Sequence, residues 1–304
     1  MRPILADGSA CGKAAQMRAL QDGVNRRLEA LLPAGRDPSH PLHSSMRYAL
    51  MAPGKRIRPL LTILSTSVLG ADDAAALDAG CALEMVHTAS LILDDLPSMD
   101  DARLRRGQKA AHLVFGEDVA ILAAISLLSR AFGVLASVRH LPGAVRAELV
   151  EILSEATGAC GLSGGQVDDL REAFCARPAE RIAAVNHLKT GMLFLAAVEM
   201  AASIARVGEG ERAALRRFAE NLGWAFQLRD DLLDEDGVPA VTGKDAGQDR
   251  GKSTLVATLG RDGAALRLRG HLAEALESLV VLGAQEHQLH ALVRVTFGAE
   301  AAWS

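Results

Sequence analysis

Apolar residues recur every three to four positions along nearly the whole chain, and no alternating stretch has the period of a strand. This spacing predicts helices over about 11–32, 39–52, 55–69, 73–96, 117–138, 142–158, 161–174, 179–205, 209–235, 261–282 and 285–297. Glycine and proline mark the breaks, as at Pro33 and Gly35, Pro53 and Gly54, Gly70, Pro142 and Gly143, Gly208 and Gly210, and Gly237 and Pro239. The stretches 73–96 and 179–205 are apolar on most faces, as expected of helices at the centre of a bundle. No break is long or polar enough for an interdomain linker, so residues 1–304 read as a single all-α domain. The longest unpatterned segment, DGVPAVTGKDAGQDRGKS at 236–253, is rich in glycine and carries Lys244, Arg250 and Lys252. Long irregular segments of compact domains are often functional, and this one is expected to be an active-site flap.

Composition sharpens the picture. The chain is 49% hydrophobic but only 3% aromatic, so its core is built from Ala and Leu, which suits close-packed helices. A net charge of −4 gives no sign of a nucleic-acid partner. Cys11, Cys81, Cys160 and Cys175 form no CxxC pair and are expected to be free, mostly buried thiols in a reducing cytoplasm. The N-terminal stretch MRPILADGSACGKAAQMRAL has no apolar core of the signal-peptide kind. Runs such as VAILAAISLLSRAFGVLA are interrupted by Ser and Arg, so no membrane span is expected and the protein reads as soluble and cytoplasmic.

Two aspartate clusters break the helical rules. In LDDLPSMDD, Asp94, Asp95, Asp100 and Asp101 end an apolar run; in QLRDDLLD, Asp230, Asp231 and Asp234 end another. Negative charge at a helix C-terminus opposes the macrodipole, and like charges four residues apart repel, as for Asp230 and Asp234. Asp100 lies six residues after Asp94, the wrong angle on a continuous helix. Pro97 removes the conflict, because it loosens the helix and lets Asp100 swing back towards Asp94. A solvated acidic surface is the plain alternative for either cluster alone. Two clusters with all-oxygen donors suggest a compensating hard cation, Mg²⁺, which typically bridges one or two carboxylates to substrate phosphates.

Basic segments supply the complement. GKRIRP puts Lys55, Arg56 and Arg58 at a helix start, and LRRG adds Arg105 and Arg106 just beyond the first aspartates. Lys189, Lys244 and Lys252 fall near the remaining motifs. His87 stands two turns before Asp94 on the same helix face, and Gln227 three residues before Asp230, where it can bind a substrate or orient a carboxylate.

Together these segments resemble the trans-isoprenyl diphosphate synthases. DDLPSMD followed by LRRG is similar to that family's first aspartate-rich motif, and DDLLD preceded by FQLR to its second. GKRIRP, HTAS, GGQVDDL, HLKTG and GKDAGQDRGKST match in order, so the resemblance runs over roughly residues 45–260. ILDDLPSMDD and FGEDVAILAAISLLSRAFGVLA are most similar to bacterial geranylgeranyl diphosphate synthases of carotenoid type. The resemblance implies a helical bundle around a deep apolar cavity, usually as a homodimer. It implies that Asp94, Asp100 and Asp230 bind Mg²⁺, three ions with substrate bound, with Asp95 and Asp234 in support. Arg105, Lys189, Gln227 and Lys244 would then contact the allylic diphosphate (dimethylallyl, geranyl or farnesyl), with Thr190 and Lys252 also among the substrate-binding residues. Lys55, Arg58, His87 and Arg106 would hold isopentenyl diphosphate. Asp94, Asp95, Asp100, Lys189, Asp230 and Lys244 would form the catalytic set.

Product length should follow cavity depth. Positions one turn from Asp94, about 5.4 Å along the helix, are Ala89 and Ser90, both small, which favours a C20 over a C15 product. Met85, deeper on the same helix, is a candidate floor. The sequence departs from the family at Gln108-Lys109-Ala110, where a basic residue and Pro-Thr are usual, and its end, VRVTFGAEAAWS, lacks a basic tail. A terpene cyclase would lack GKRIRP and the second aspartate motif, and a non-catalytic regulatory subunit would usually have lost one of the two. A purely structural helical protein leaves both acidic clusters unexplained.

Overall fold

The computed structural model describes residues 10–33, 37, 39–172, 175–235, 254–283 and 288–298. The expected flap at 236–253, with Lys244 and Lys252, lies outside the described residues. Thirteen α-helices run through the described chain. They are α1 (Ala10–Leu31), α2 (Pro41–Leu50), α3 (Ile57–Val68), α4 (Asp73–Asp94), α5 (Ala111–Phe115), α6 (Glu117–Ala136) and α7 (Gly143–Thr157). Then follow α8 (Leu162–Glu172), α9 (Ala179–Asn186), α10 (Met192–Ala205), α11 (Glu209–Glu235), α12 (Leu255–Ser278) and α13 (Gln288–Phe297).

Helix α4 starts where Asp72 caps it, its carboxylate accepting from the backbone N–H groups of Ala74 (2.8 Å) and Ala75 (3.3 Å). It lies at the centre, against α3 and α6 on two sides and α10 on a third. Small residues permit the approach. A Cβ at Gly80 would stand 2.7 Å from the Cα of Pro59, so only glycine lets α4 meet α3 this closely. Helix α10 completes the core and is buried almost throughout, with Phe194 fully enclosed.

Four features differ from the sequence reading. The stretch 179–205 is divided: α9 passes into one π-helical turn, His187–Gly191, before α10 begins. Periodicity does not show this, because on a stretch apolar on most faces the one-residue phase shift of a π-turn displaces no distinct stripe. A two-residue antiparallel hairpin, β1 (Leu104–Arg105) with β2 (Gln108–Lys109), follows the first aspartate cluster. Its turn residues Arg106 (φ 54°) and Gly107 (φ 77°) both lie in the left-handed region, as a tight two-residue hairpin requires. The short α5 was also not expected, and α12 starts at Leu255, bending at Gly260.

The expectations for thiols and apolar runs also need correcting. Cys81 is buried, but Cys160 and Cys175 are exposed. Asp73–Asp94, Glu117–Ala136 and Ala179–Ala205 are in fact long and apolar enough to cross a membrane, by length and composition. Core packing accounts for the first and third, whose apolar windows are 67% and 61% buried within the fold. In α6 the share is only 39%, leaving Ile121, Leu122 and Ile125 exposed along one face beside Leu113 and Val114 of α5.

Candidate active site

A cavity of about 410 Å³ opens between the C-terminal ends of α4 and α11, walled by α8, α9 and the π-turn and by the start of α3. Asp94, Asp230, Asp231 and Asp234 line it, as do Lys55, Arg58, His87, Arg105, Arg106, Lys189, Thr190 and Gln227. The fold therefore gathers most of the residues singled out in the sequence into one place.

The end of α4 is unwound around Pro97. Asp100 donates its backbone N–H to the carbonyl of Asp94 (2.9 Å), and Asp101 donates to Leu96 (3.1 Å) with a left-handed φ of 47°. This is the return that the proline was expected to allow. Burial, together with the nearby Asp100 and Asp95 carboxylates, pushes the Asp94 carboxyl up to about 6, although Lys189 and Arg105 act the other way. Asp95 sits differently. It is buried behind the cavity wall and binds the Arg105 guanidinium, with Nε donating at 2.8 Å, so it orients an arginine and does not itself face the cavity.

On α11, Gln227 donates from Nε2 to Asp231 Oδ1 (2.7 Å), one turn on, and accepts from Thr190 Oγ1 (3.1 Å). The carboxylate that Gln227 orients is thus Asp231. Across from it Lys189, on the π-turn, donates to Asp169 of α8 (2.8 Å). Burial works against the Lys189 charge, but Asp94 and Asp169 outweigh it and raise the ammonium above its ordinary value. Helix α8 reaches the π-turn only because residue 165 is glycine: a Cβ there would lie 2.6 Å from the backbone N of Lys189.

The other end of the cavity is built on Glu84, which the sequence reading missed. This fully buried carboxylate accepts from Arg56 Nη1 (2.8 Å) and faces Arg106 Nη2 (3.6 Å). Both arginines have left-handed backbones, φ 51° and 54°. Arg56 also donates to Asn25 and to the carbonyls of Leu50 and Ala52, so it is a structural pin. Arg58 stacks over the Phe194 ring (5.1 Å to its centroid) and is lowered to about 10 by burial and by Arg106, against the pull of Glu84 and Asp230. Burial first, then Arg58, Arg106, Arg105 and Arg56, hold His87 well below its ordinary value, so its imidazole is neutral. The signal for Glu84 was available: one acidic residue inside the apolar run of α4, three positions before His87.

Among the chain-length candidates only Ser90 lines the cavity. Ala89 and Met85 are fully buried and off its wall. At about 100° per residue they point roughly 140° and 180° away from Asp94, whereas Ser90 and His87 share its face. Gln108, Lys109 and Ala110 form the hairpin's return strand and exit, where the Lys109 carbonyl accepts from the Tyr48 hydroxyl (2.8 Å).

The donor set fits a hard divalent ion held jointly with a ligand. Among the described residues no three His, Cys, Asp or Glu side chains converge closely enough to hold an ion alone. Magnesium keeps waters and takes further oxygens from phosphates, so facing pairs of carboxylates suffice. Asp94, its carboxyl pushed up first by burial and then by Asp100 and Asp95, is a desolvated group whose charged form such an ion would stabilise.

The chain is 43% identical over 292 residues to the geranylgeranyl diphosphate synthase of Pseudescherichia vulneris, covering 95% of this chain and 94% of that one. It is 46% identical over 276 residues to the geranylgeranyl diphosphate synthase of Pantoea ananas, covering 90% of each. The apo crystal structure of a FPP/GFPP synthase from Zymomonas mobilis superposes with a TM-score of 0.85 at 32% identity, covering 94% of this chain and 99% of that one. With residues 39–277 also matching the Polyprenyl synthetase family model, the chain belongs to the polyprenyl synthetase family.

Proposed function

We infer that this protein is a Mg²⁺-dependent prenyltransferase that joins isopentenyl diphosphate head-to-tail to allylic diphosphates and releases geranylgeranyl diphosphate. The observation that carries this is the division of one cavity into two anion sites. Asp94 of α4 and Asp230, Asp231 and Asp234 of α11 line the cavity together with Lys189, and Arg58 of α3, Arg106 of the hairpin turn and His87 of α4 line it as a second group. Two diphosphates, one held through metal and one held directly, match that division.

Asp94 and Asp100 on one side, and Asp230 and Asp234 on the other, would hold Mg²⁺, three ions with substrate bound. Bound there, the metal neutralises the leaving diphosphate. Lys189 and Arg105 hold the same group, Arg105 at the angle set by Asp95. Thr190 and Gln227, hydrogen-bonded to each other on the cavity wall, would contact the substrate. Lys55, Arg58 and Arg106 bind isopentenyl diphosphate, and neutral His87 contributes a hydrogen bond without adding charge. As the allylic C–O bond breaks, the isopentenyl double bond attacks the cation and a proton passes to the released pyrophosphate. The apolar walls, including Leu162, Ile182 and Phe226, keep water from capturing the cation.

Small Ser90 on the cavity wall favours growth to C20 over C15. The exposed apolar face of α6, with Leu113 and Val114, supports a homodimer. The direct test is pyrophosphate release by purified protein. It should require both isopentenyl diphosphate and an allylic diphosphate, and stop on chelation of Mg²⁺. Release from isopentenyl diphosphate alone, or release unaffected by chelation, would contradict the reading.

A further inference from the structure

Gln166 of α8 lines the cavity and is 7% exposed, yet neither its Oε1 nor its Nε2 has a hydrogen-bond partner among the described residues. A buried amide with both ends unsatisfied destabilises a fold, and native proteins seldom keep one without a use for it. Its surroundings narrow that use. Gly165, immediately before it, brings α8 against the backbone of Lys189, and Asp169, one turn on, holds the Lys189 ammonium. Leu162, one turn back, and Ile182 of α9 form the apolar wall beside it. Gln166 therefore stands where a charged site gives way to an apolar one, the place of the first carbons of a chain whose diphosphate is held by Lys189.

We propose that Gln166 is a further catalytic residue, its amide oxygen facing the allylic carbon that becomes cationic. The inference rests on the prenyltransferase reading above. As the C1–O bond breaks, its electron pair leaves with the diphosphate, and C1 carries positive charge until the isopentenyl double bond supplies the pair for the new C–C bond. The proton lost afterwards goes to pyrophosphate, so Gln166 gains and loses none. A fixed carbonyl dipole stabilises the developing charge without reorganising. It is also a weaker nucleophile than a carboxylate, and a side chain held at contact distance stabilises the cation without bonding to it. The partner that Gln166 lacks in the free protein is supplied only on the reaction path.

The test compares wild type with Gln166→Met, which keeps the side chain's length and removes the amide. Steady-state kinetics with farnesyl and isopentenyl diphosphates and thermal denaturation are run on the same samples. The variant should lose about ten- to a hundredfold in kcat, keep the wild-type KM for isopentenyl diphosphate, and melt at the same or a higher temperature. Wild-type kcat in the variant overturns the proposal. So does a lowered melting temperature, which would show that the amide already serves the fold. If wild type itself fails to elongate, the prenyltransferase reading falls and takes this one with it.

Discussion

The backbone N–H of Asp100 donates to the carbonyl of Asp94 at 2.9 Å, across a six-residue excursion that contains Pro97. That bond folds the end of α4 back on itself and returns Asp100 to the neighbourhood of Asp94, whose carboxyl its charge helps to push up. A continuous helix would have put them on different faces. Replacing Pro97 by Ala removes the bar to helix continuation and should let the bond break. Turnover at limiting Mg²⁺ is expected to fall by about tenfold or more, since small misplacements of reacting groups are costly, with the far-UV dichroism unchanged. A full wild-type Mg²⁺ dependence in Pro97→Ala would show that the return does not depend on the proline.

Glu84 should matter to the fold more than any exposed ion pair. It joins Arg56 and Arg106, whose left-handed backbones it helps to hold. Glu84→Leu leaves buried guanidinium groups uncompensated, at a cost of about 3–5 kcal/mol. Urea unfolding would read this as a lowered midpoint, and KM for isopentenyl diphosphate should rise as Arg106 loses its anchor.

His87 gives a pH dependence of known sign. Its folded-state value lies well below 6.5 because burial and then Arg58, Arg106, Arg105 and Arg56 disfavour the imidazolium. Below about 6.5 the unfolded chain binds the proton and the folded one does not. Stability from this group is thus complete above that pH and is lost as pH falls towards the folded value. His87→Gln should flatten the decline in melting temperature between about pH 6.5 and 5 relative to wild type. An equally steep decline in the variant would place the titration elsewhere.

Gly165 is where α8 and the π-turn touch, and a methyl group there meets the Lys189 backbone. Gly165→Ala should cost about 1–3 kcal/mol through overpacking. It should also lower kcat/KM for the allylic diphosphate more than for isopentenyl diphosphate, because Lys189 moves. Separate kinetics for the two substrates check this.

Ser90 shares the cavity face with Asp94, one helical turn away. Ser90→Phe should block chain growth by about one isoprene unit, since a turn spans about 5.4 Å. Products would shift from C20 towards C15, read by chromatography of the dephosphorylated alcohols.

The sequence made much of this legible. The apolar period located nearly every helix, and like charges crowded at two helix ends pointed to a shared cation before any geometry was known. What it could not show were contacts fixed by side-chain direction or by backbone departures of one residue. Asp95 and Asp94 are neighbours in sequence, yet one binds Arg105 behind the wall and the other faces the cavity. Asp231 gained its place through Gln227, a pairing that competes with several others of equal spacing. The π-turn at His187–Gly191 leaves the apolar pattern intact while re-aiming Lys189 and Thr190. Ala89 and Met85 are near Asp94 along α4 but lie at other angles around it, so they do not line the described cavity.

The central claim is head-to-tail elongation to C20 in this cavity. It is tested most directly by incubating the protein with Mg²⁺, labelled isopentenyl diphosphate and, separately, dimethylallyl, geranyl and farnesyl diphosphate, then sizing the products. The account predicts geranylgeranyl diphosphate as the end product from all three primers, with no longer chain accumulating. Absence of elongation from every primer would contradict it outright, and a dominant C15 product would contradict the assignment of chain length.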